Sequence, residues 1–175
     1  MAAEAIPRGA SETRGDTHVL RYVLSLPHEM VRVWAAVATP EGLPQWLAAA
    51  DPLEPRLGGA VTLRWLNSET VVSGRVTAWD PEYVAEYTVE EPHGRIRFHL
   101  EPARDGGTVL RFTNEFQGSD ELRLDCLAGW HHHFELLESA LEGRPTDWLT
   151  WTPERWRELR ETYEREEARW PRWEP

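Results

Sequence analysis

The pattern that most constrains this chain lies near its C-terminal end, between Gly129 and Gly143. Four bulky apolar residues recur there at i, i+4, i+7 and i+11, the spacing of one helix face: Trp130, Phe134, Leu137 and Leu141. Gly129 stands at the start of the pattern, and Gly143 stands just past its end, where left-handed backbone favours glycine. A helix with a face this bulky needs a broad apolar surface to pack on, so we expect it to lie across a sheet.

The preceding part of the chain alternates apolar and polar residues with the period of strands that have one buried face. One such run spans residues 18–26, and five more follow between residues 61 and 116. Short turns such as Asp105-Gly106-Gly107 separate the later runs, so these strands are expected to be antiparallel neighbours. Two short helices are predicted between the first strand and the rest, at Pro27 and at Thr39-Pro40.

The pattern divides the chain into three parts. Residues 1–17 are polar without periodicity and are predicted to be disordered. Residues 18–143 form the α+β domain. Residues 144–175 form a tryptophan-rich extension, with a helix from Thr152-Pro153 to about Ala168 that either folds back on the domain or docks on another subunit.

Composition restricts the partners. The formal net charge is −11 and the isoelectric point is about 5.1, so the chain should repel nucleic-acid backbones. Neither a long apolar run nor a signal-peptide pattern is found, so we expect no membrane association. The single cysteine, Cys126, excludes an internal disulfide and fits a reducing cytoplasm.

Short sequence words also occur in a distinctive order along residues 18–143. They are Val33-Trp34-Ala35-Ala36 with Thr39-Pro40-Glu41, Gln45-Trp46, Gly58-Gly59, Ser73-Gly74-Arg75-Val76 with Asp80-Pro81, Gly107-Thr108-Val109-Leu110, and Gly129-Trp130. This order resembles the SRPBCC superfamily of START-like proteins, and within it the bacterial branch related to the activator of the heat-shock-protein-90 ATPase. The resemblance implies a helix-grip fold, in which a curved antiparallel sheet of about six strands wraps around the long C-terminal helix.

The resemblance also implies an apolar cavity between sheet and helix. The leading prediction is a cofactor-free protein that binds a small hydrophobic, lipid-like or polyketide-like molecule there. The inward positions predicted to line the cavity are Trp46, Leu63, Trp65, Val72, Gly74, Val76, Ala85, Tyr87, Phe98, Leu100, Leu110, Phe112, Asn114, Trp130, His133, Phe134 and Leu137. A pocket is therefore expected to touch residues 74, 85, 98, 112 and 133.

The run His131-His132-His133 is the most conspicuous chemical feature. Neighbours on a helix point about 100° apart, so the three cannot converge on one metal, and we predict no metal site. His133 is expected to face the cavity, as a partner for a ligand or as an acid or base, and His131 to pair with Glu135. Asn114 interrupts an apolar row, either to bond a ligand or to cap a strand end.

Three other functions remain open. The first is a cyclase or dehydratase, for which His133 with Tyr87 or Asn114 is the available acid–base set. The second is an interaction module resembling a co-chaperone, which would use the tail helix or the arginine-rich face of the sheet. The third is self-resistance by sequestering an antibiotic. Binding without catalysis is the favoured alternative, in a monomer or homodimer.

Overall fold

The computed structural model describes residues 5–169. Its elements in chain order are β1 Ala10–Arg14, β2 Thr17–Leu26, α1 Met30–Ala38, a 3-10 turn Leu43–Gln45, β3 Ala48–Leu53, β4 Ala60–Trp65, β5 Val71–Asp80, β6 Val84–Val89, β7 Arg95–Pro102, β8 Thr108–Gln117, α2 Asp120–Leu141 and α3 Glu154–Arg169. The second predicted short helix is therefore only a 3-10 turn. None of the helices within residues 5–169 is long and apolar enough to cross a membrane.

The strands form one antiparallel sheet in the order β1-β2-β8-β7-β6-β5-β4-β3. This agrees with the predicted α+β helix-grip class, but the described residues contain eight strands where about six were expected. The strands that the alternation predicted have the expected inner faces. Phe98 of β7 lies opposite Phe112 of β8, for example, and both are buried.

The two additional strands lie at the edges of the sheet. The prediction of disorder over residues 1–17 is wrong for β1, which pairs with β2 from Ala10 to Arg14; residues 1–4 lie outside the described range. The predicted crossing from Asp51 to Pro55 is partly strand β3. Periodicity missed both because an edge strand needs no alternating apolar face, and because proline is tolerated at a sheet edge.

The long helix begins nine residues earlier than the Gly129 start that we predicted, at Asp120. Ser119 caps it, since its hydroxyl oxygen accepts a hydrogen bond from the Leu122 amide at 3.1 Å. Asp120 and Glu121 in the first turn complement the positive end of the helix dipole. The predicted end is confirmed, because Gly143 has a φ of +86° directly after the last turn.

Aromatic side chains fill the space between the centre of the sheet and α2. The rings of Phe112 and Trp130 lie 4.4 Å apart, and those of Phe112 and Phe134 lie 5.0 Å apart. Trp46 stacks on Phe134 from the side of the 3-10 turn at 6.0 Å. Packing of this kind leaves the middle of the grip as a solid core.

The C-terminal extension folds back on the domain, the first of the two predicted alternatives. Leu159 and Tyr163 of α3 are buried against it. The Tyr163 hydroxyl accepts a hydrogen bond from the Gly9 amide, just before β1. The start and the end of the described chain are thus tied to each other as well as to the domain.

Candidate functional site

A pocket of about 270 Å³ lies at one end of the grip, beside the N-terminal half of α2. The sheet and its turns contribute Trp65, Asn67, Ser68, Pro92, His93 and Asn114. The long helix contributes Leu122, Asp125, Cys126, Gly129, Trp130 and His133, and α3 contributes Trp156. The lining is mostly apolar, with a few polar atoms among indole rings.

Only part of the predicted lining meets at this pocket. Trp65, Asn114, Trp130 and His133 line it. The remaining predicted cavity residues do not: Trp46, Leu63, Val72, Gly74, Val76, Ala85, Tyr87, Phe98, Leu100, Leu110, Phe112, Phe134 and Leu137. Of the five positions expected to touch one pocket, only His133 does so. The rings of Phe98 and Phe112 pack against each other at 5.2 Å and are buried.

The small residues of the sheet do not create the expected space. A Cβ atom on Gly74 would lie 1.9 Å from the Thr88 carbonyl oxygen, so glycine is needed there for close approach of β5 to β6. Ala85 is completely buried within the packed centre. Neither position opens onto a void, and the prediction that placed them at the cavity is wrong.

Asn114 stabilises the wall of the pocket through three hydrogen bonds of its side-chain amide. Its side-chain amide donates to the carbonyl oxygens of His93 and Arg95 at 2.8 and 2.9 Å. Its own oxygen accepts a hydrogen bond from the Trp130 indole at 3.0 Å. The polar break in an apolar row is therefore explained by holding the β6–β7 turn and orienting Trp130, and all of the amide's protons are used.

The two ring nitrogens of His133 differ, because within the described residues one is hydrogen-bonded and the other is not. Nδ1 lies 2.8 Å from the Trp46 carbonyl oxygen, so Nδ1 carries the proton and donates it. Nε2 then has a lone pair, and it has no hydrogen-bond partner within residues 5–169. Burial lowers the pKa of His133 to about 4. The ring is consequently neutral at physiological pH and can accept a hydrogen bond at Nε2.

Trp65 and His93 form a second polar feature of the pocket. Their rings stack at 5.0 Å with an angle of 19°. Among the described residues, Trp65 Nε1 and His93 Nδ1 are buried without a hydrogen-bond partner. Burial also lowers the pKa of His93. An unpaired buried polar atom costs about 1–3 kcal/mol, so two in adjacent pocket walls are an expensive arrangement.

The other two histidines of the run face the C-terminal extension instead. His131 Nδ1 lies 2.8 Å from the Tyr163 hydroxyl. His132 Nε2 accepts a hydrogen bond from the Trp151 indole, and its Nδ1 lies 3.5 Å from Glu135. The predicted pairing of His131 with Glu135 is thus replaced by His132 and Glu135. Within residues 5–169, no group of three histidine, cysteine or acidic side chains is placed to hold a metal ion.

The acid–base set required for a cyclase is not assembled. The Tyr87 hydroxyl donates to the Val37 carbonyl oxygen at 2.8 Å, away from the pocket, and burial raises its pKa well above the ordinary value. Asn114 is committed to its structural bonds. Cys126 does line the pocket, but burial raises the pKa of its thiol to about 12, which disfavours the nucleophilic thiolate.

The sequence-based interpretation missed a large share of the lining. Asn67, Ser68, Pro92 and His93 lie in turns, where periodicity carries no information on orientation. The segment from Leu122 to Cys126 was missed because the helix was expected to begin at Gly129. The available signal was the capping sequence at Ser119, followed by acidic residues.

The fold and its pocket define a helix-grip protein of the α+β class. Residues 28–142 match the sequence model of the Activator of Hsp90 ATPase homolog 1-like protein family, and the chain belongs to that family. The predicted SRPBCC superfamily and bacterial branch are thereby confirmed. No sequence among the curated proteins matches the chain.

Several solved structures share the fold. A conserved protein of unknown function from Enterococcus faecalis has a TM-score of 0.71 at 14% identity, over 94% of this chain and 93% of that one. CalU16 from Micromonospora echinospora has a TM-score of 0.67 at 17% identity, over 90% and 95%. DynU16, from the dynemicin biosynthetic locus, has a TM-score of 0.65 at 20% identity, over 75% of this chain and 49% of that one.

Proposed function

We propose that this protein binds a small aromatic molecule in the pocket at the end of α2. The observation that carries the proposal is the lining itself. Indole rings from β4, α2 and α3 surround a space of about 270 Å³, and His133, whose Nδ1 alone is hydrogen-bonded among the described residues, belongs to its walls. A pocket of largely apolar walls with a few polar groups is the usual form of a small-molecule site.

Gly129 supports this proposal from the helix side. It lies in the middle of α2 and lines the pocket, although glycine in a helix interior costs about 0.5–1 kcal/mol relative to alanine. Packing does not require it, since an added Cβ would meet only Trp156 Nε1, at 3.8 Å. The absence of a side chain at this position keeps the pocket open down to the helix backbone.

The polar atoms narrow the ligand chemistry. His133 Nε2 can accept a hydrogen bond but cannot donate one while Nδ1 holds the Trp46 carbonyl. A ligand hydroxyl would supply the missing donor to this nitrogen. The proposed ligand is accordingly a flat aromatic compound that carries a hydroxyl group.

The test is fluorescence titration with pyrene and hydroxypyrene, two flat probes that differ by one donor group. We expect saturable binding of both, with quenching of tryptophan emission. Gly129→Leu fills the pocket from the helix and should weaken both by about tenfold or more, whereas Gly129→Ala, which adds a single methyl group, should retain binding. Equal affinity in the leucine and alanine variants would place the probes elsewhere and overturn the proposal.

A third variant addresses the polar contact. His133→Phe removes the acceptor but keeps an aromatic ring in place. It should weaken hydroxypyrene by about 1 kcal/mol relative to pyrene, the net value of one hydrogen bond. An identical change for the two probes would show that His133 does not read the hydroxyl group.

Within this proposal, the use of binding is carriage or sequestration of the ligand. DynU16 shares the fold and belongs to the dynemicin biosynthetic locus, which makes dynemicin a natural compound to test after the two probes. Catalysis ranks behind binding because the Tyr87 hydroxyl bonds away from the pocket and the Asn114 amide is used in structural hydrogen bonds. A cytoplasmic location and a monomeric or homodimeric state stay predictions.

A further inference from the structure

One wall of the pocket comes from outside the part of the chain that matches the family. Among residues 5–169, Trp156 of α3 is the single lining residue that lies beyond residues 28–142. It is half-buried, and its indole N–H donates to the Asp125 carbonyl oxygen at 3.1 Å. The ring also lies over Gly129, where α2 has no side chain to separate the indole from the pocket floor.

Ion pairs on both sides of Trp156 fix α3 to the long helix. Arg160, which is largely buried, contacts the Asp125 carboxylate at 2.7 Å and Glu121 at 2.5 Å. Arg155 binds Glu135 through two nitrogen atoms, at 2.7 and 3.0 Å. Arginine–carboxylate pairs with two contacts constrain orientation as well as distance. These ion pairs hold the part of α3 that carries Trp156 against α2.

We propose that Trp156 is the residue that sets the size of ligand the pocket accepts. The proposal rests on the proposed function, binding of an aromatic ligand in this pocket. The pocket volume of about 270 Å³ is just below the range usual for drug-sized ligands. Trp156 forms the part of the wall that comes from the C-terminal extension and not from residues 28–142. An indole held there by its hydrogen bond to Asp125 selects compact flat compounds and excludes those with bulky substituents.

The test compares pyrene with the bulkier phenylpyrene, a pair that differs in size and in no polar group. Binding to the full-length chain is titrated by fluorescence for wild type and for Trp156→Ala. The quantity compared is the ratio of the affinity for phenylpyrene to the affinity for pyrene. Removing the indole should raise this ratio by about tenfold. Trp156→Phe leaves most of the bulk in place and should shift the ratio less.

The matched control is Trp151→Ala. Trp151 belongs to the same extension and bonds α2 through His132, but it does not line the pocket. Its removal should leave the ratio within about twofold of wild type. Thermal unfolding of each variant verifies folding, and if Trp156→Ala does not fold, Trp156→Leu and Trp156→Phe give the same comparison.

Each outcome decides one of the two proposals. A shift in the Trp156 variants without one in the Trp151 variant supports the assignment. An unchanged ratio in Trp156→Ala, with wild-type binding that Gly129→Leu still blocks, overturns the role of Trp156 and leaves the proposed function intact. An equal shift in Trp151→Ala overturns it as well, since the effect then belongs to the whole extension. Wild-type binding that is absent or insensitive to Gly129→Leu overturns both proposals.

Discussion

The centre and the end of the grip are built from the same sheet and the same helix, yet only the end is open. In the centre, the Phe112 ring of the sheet contacts both Phe98 of the neighbouring strand and Phe134 of α2, and all three rings are buried. At the end, two turns further towards the start of α2, the helix offers Gly129 and Cys126 to the facing turns. The open space therefore lies beside the small residues of the helix and not beside the small residues of the sheet.

The two glycines of this comparison have opposite roles. Gly74 is needed because the β6 backbone lies where its Cβ would be, so its smallness brings strands together. Gly129 has no such neighbour, so its smallness leaves a space. The residue type is the same, and only the surroundings decide whether it closes a gap or opens one.

The largest expected effect comes from the residue that joins the two regions. Trp130→Ala should lower the free energy of unfolding by about 3–5 kcal/mol, because it removes the ring packed on Phe112 and leaves the Asn114 oxygen without its donor. Urea denaturation measures the change. Leu149→Ala, at a fully exposed position, is the control, with an expected change within about 0.5 kcal/mol. If the urea midpoint of the Trp130→Ala variant equalled that of the wild type, Trp130 would not be part of the core that stabilises the fold.

Acid should lower the free energy of unfolding because His133, which lines the pocket, is neutral in the folded protein. The pKa of His133 falls from about 6.5 in the unfolded chain to about 4 in the folded one, so the unfolded state binds the proton first. Keeping His133 neutral therefore does not reduce the free energy of unfolding above about pH 6.5. As the pH falls towards 4, protonation of the unfolded chain lowers the free energy of unfolding by roughly 3 kcal/mol.

Urea unfolding across this pH range provides the measurement. His133→Gln, which cannot titrate, is the reference that removes the contribution of the other histidines whose pKa is lowered by partial burial, His93 and His131. The wild-type curve should fall more steeply than that of the variant. Parallel curves would contradict a buried neutral ring at this position.

Enlarging a side chain distinguishes the filled centre from the open end. Ala85→Trp should cost about 1–3 kcal/mol or more, since Ala85 is completely enclosed and its neighbours have no room to move. Gly129→Leu adds volume at the pocket and should cost less. Both free energies of unfolding are compared in urea, and an equal cost at the two positions would argue against the contrast between centre and end.

The smallest expected effect is an increase in the free energy of unfolding. Gly129→Ala should stabilise the chain by about 0.5–1 kcal/mol, because alanine favours the helix and its methyl group would lie at an ordinary distance from Trp156. The urea midpoint of the purified variant gives the answer. A loss of stability would mean that the helix needs glycine for its own packing.

Much of the fold could be predicted from the sequence. The alternation in β4 to β8 identifies which residues face inwards, and the stripe from Trp130 to Leu141 identifies the face of α2 that packs on them. The glycine at 143 marks the helix end because its conformation is a local property. These features depend on neighbours within a few residues, and a sequence displays such neighbours directly.

The position of the pocket was decided only by the tertiary structure. Periodicity shows that Phe98, Phe112 and Phe134 point inwards, but whether their rings meet or leave a gap depends on distances between separate elements. The same limit applies to Asn114, whose partners come from α2 and from the β6–β7 turn. It applies also to Trp156, which reaches the pocket only because α3 folds back along α2. A pattern records which side of an element is buried, whereas the volume left between two buried sides is set by how their particular side chains pack.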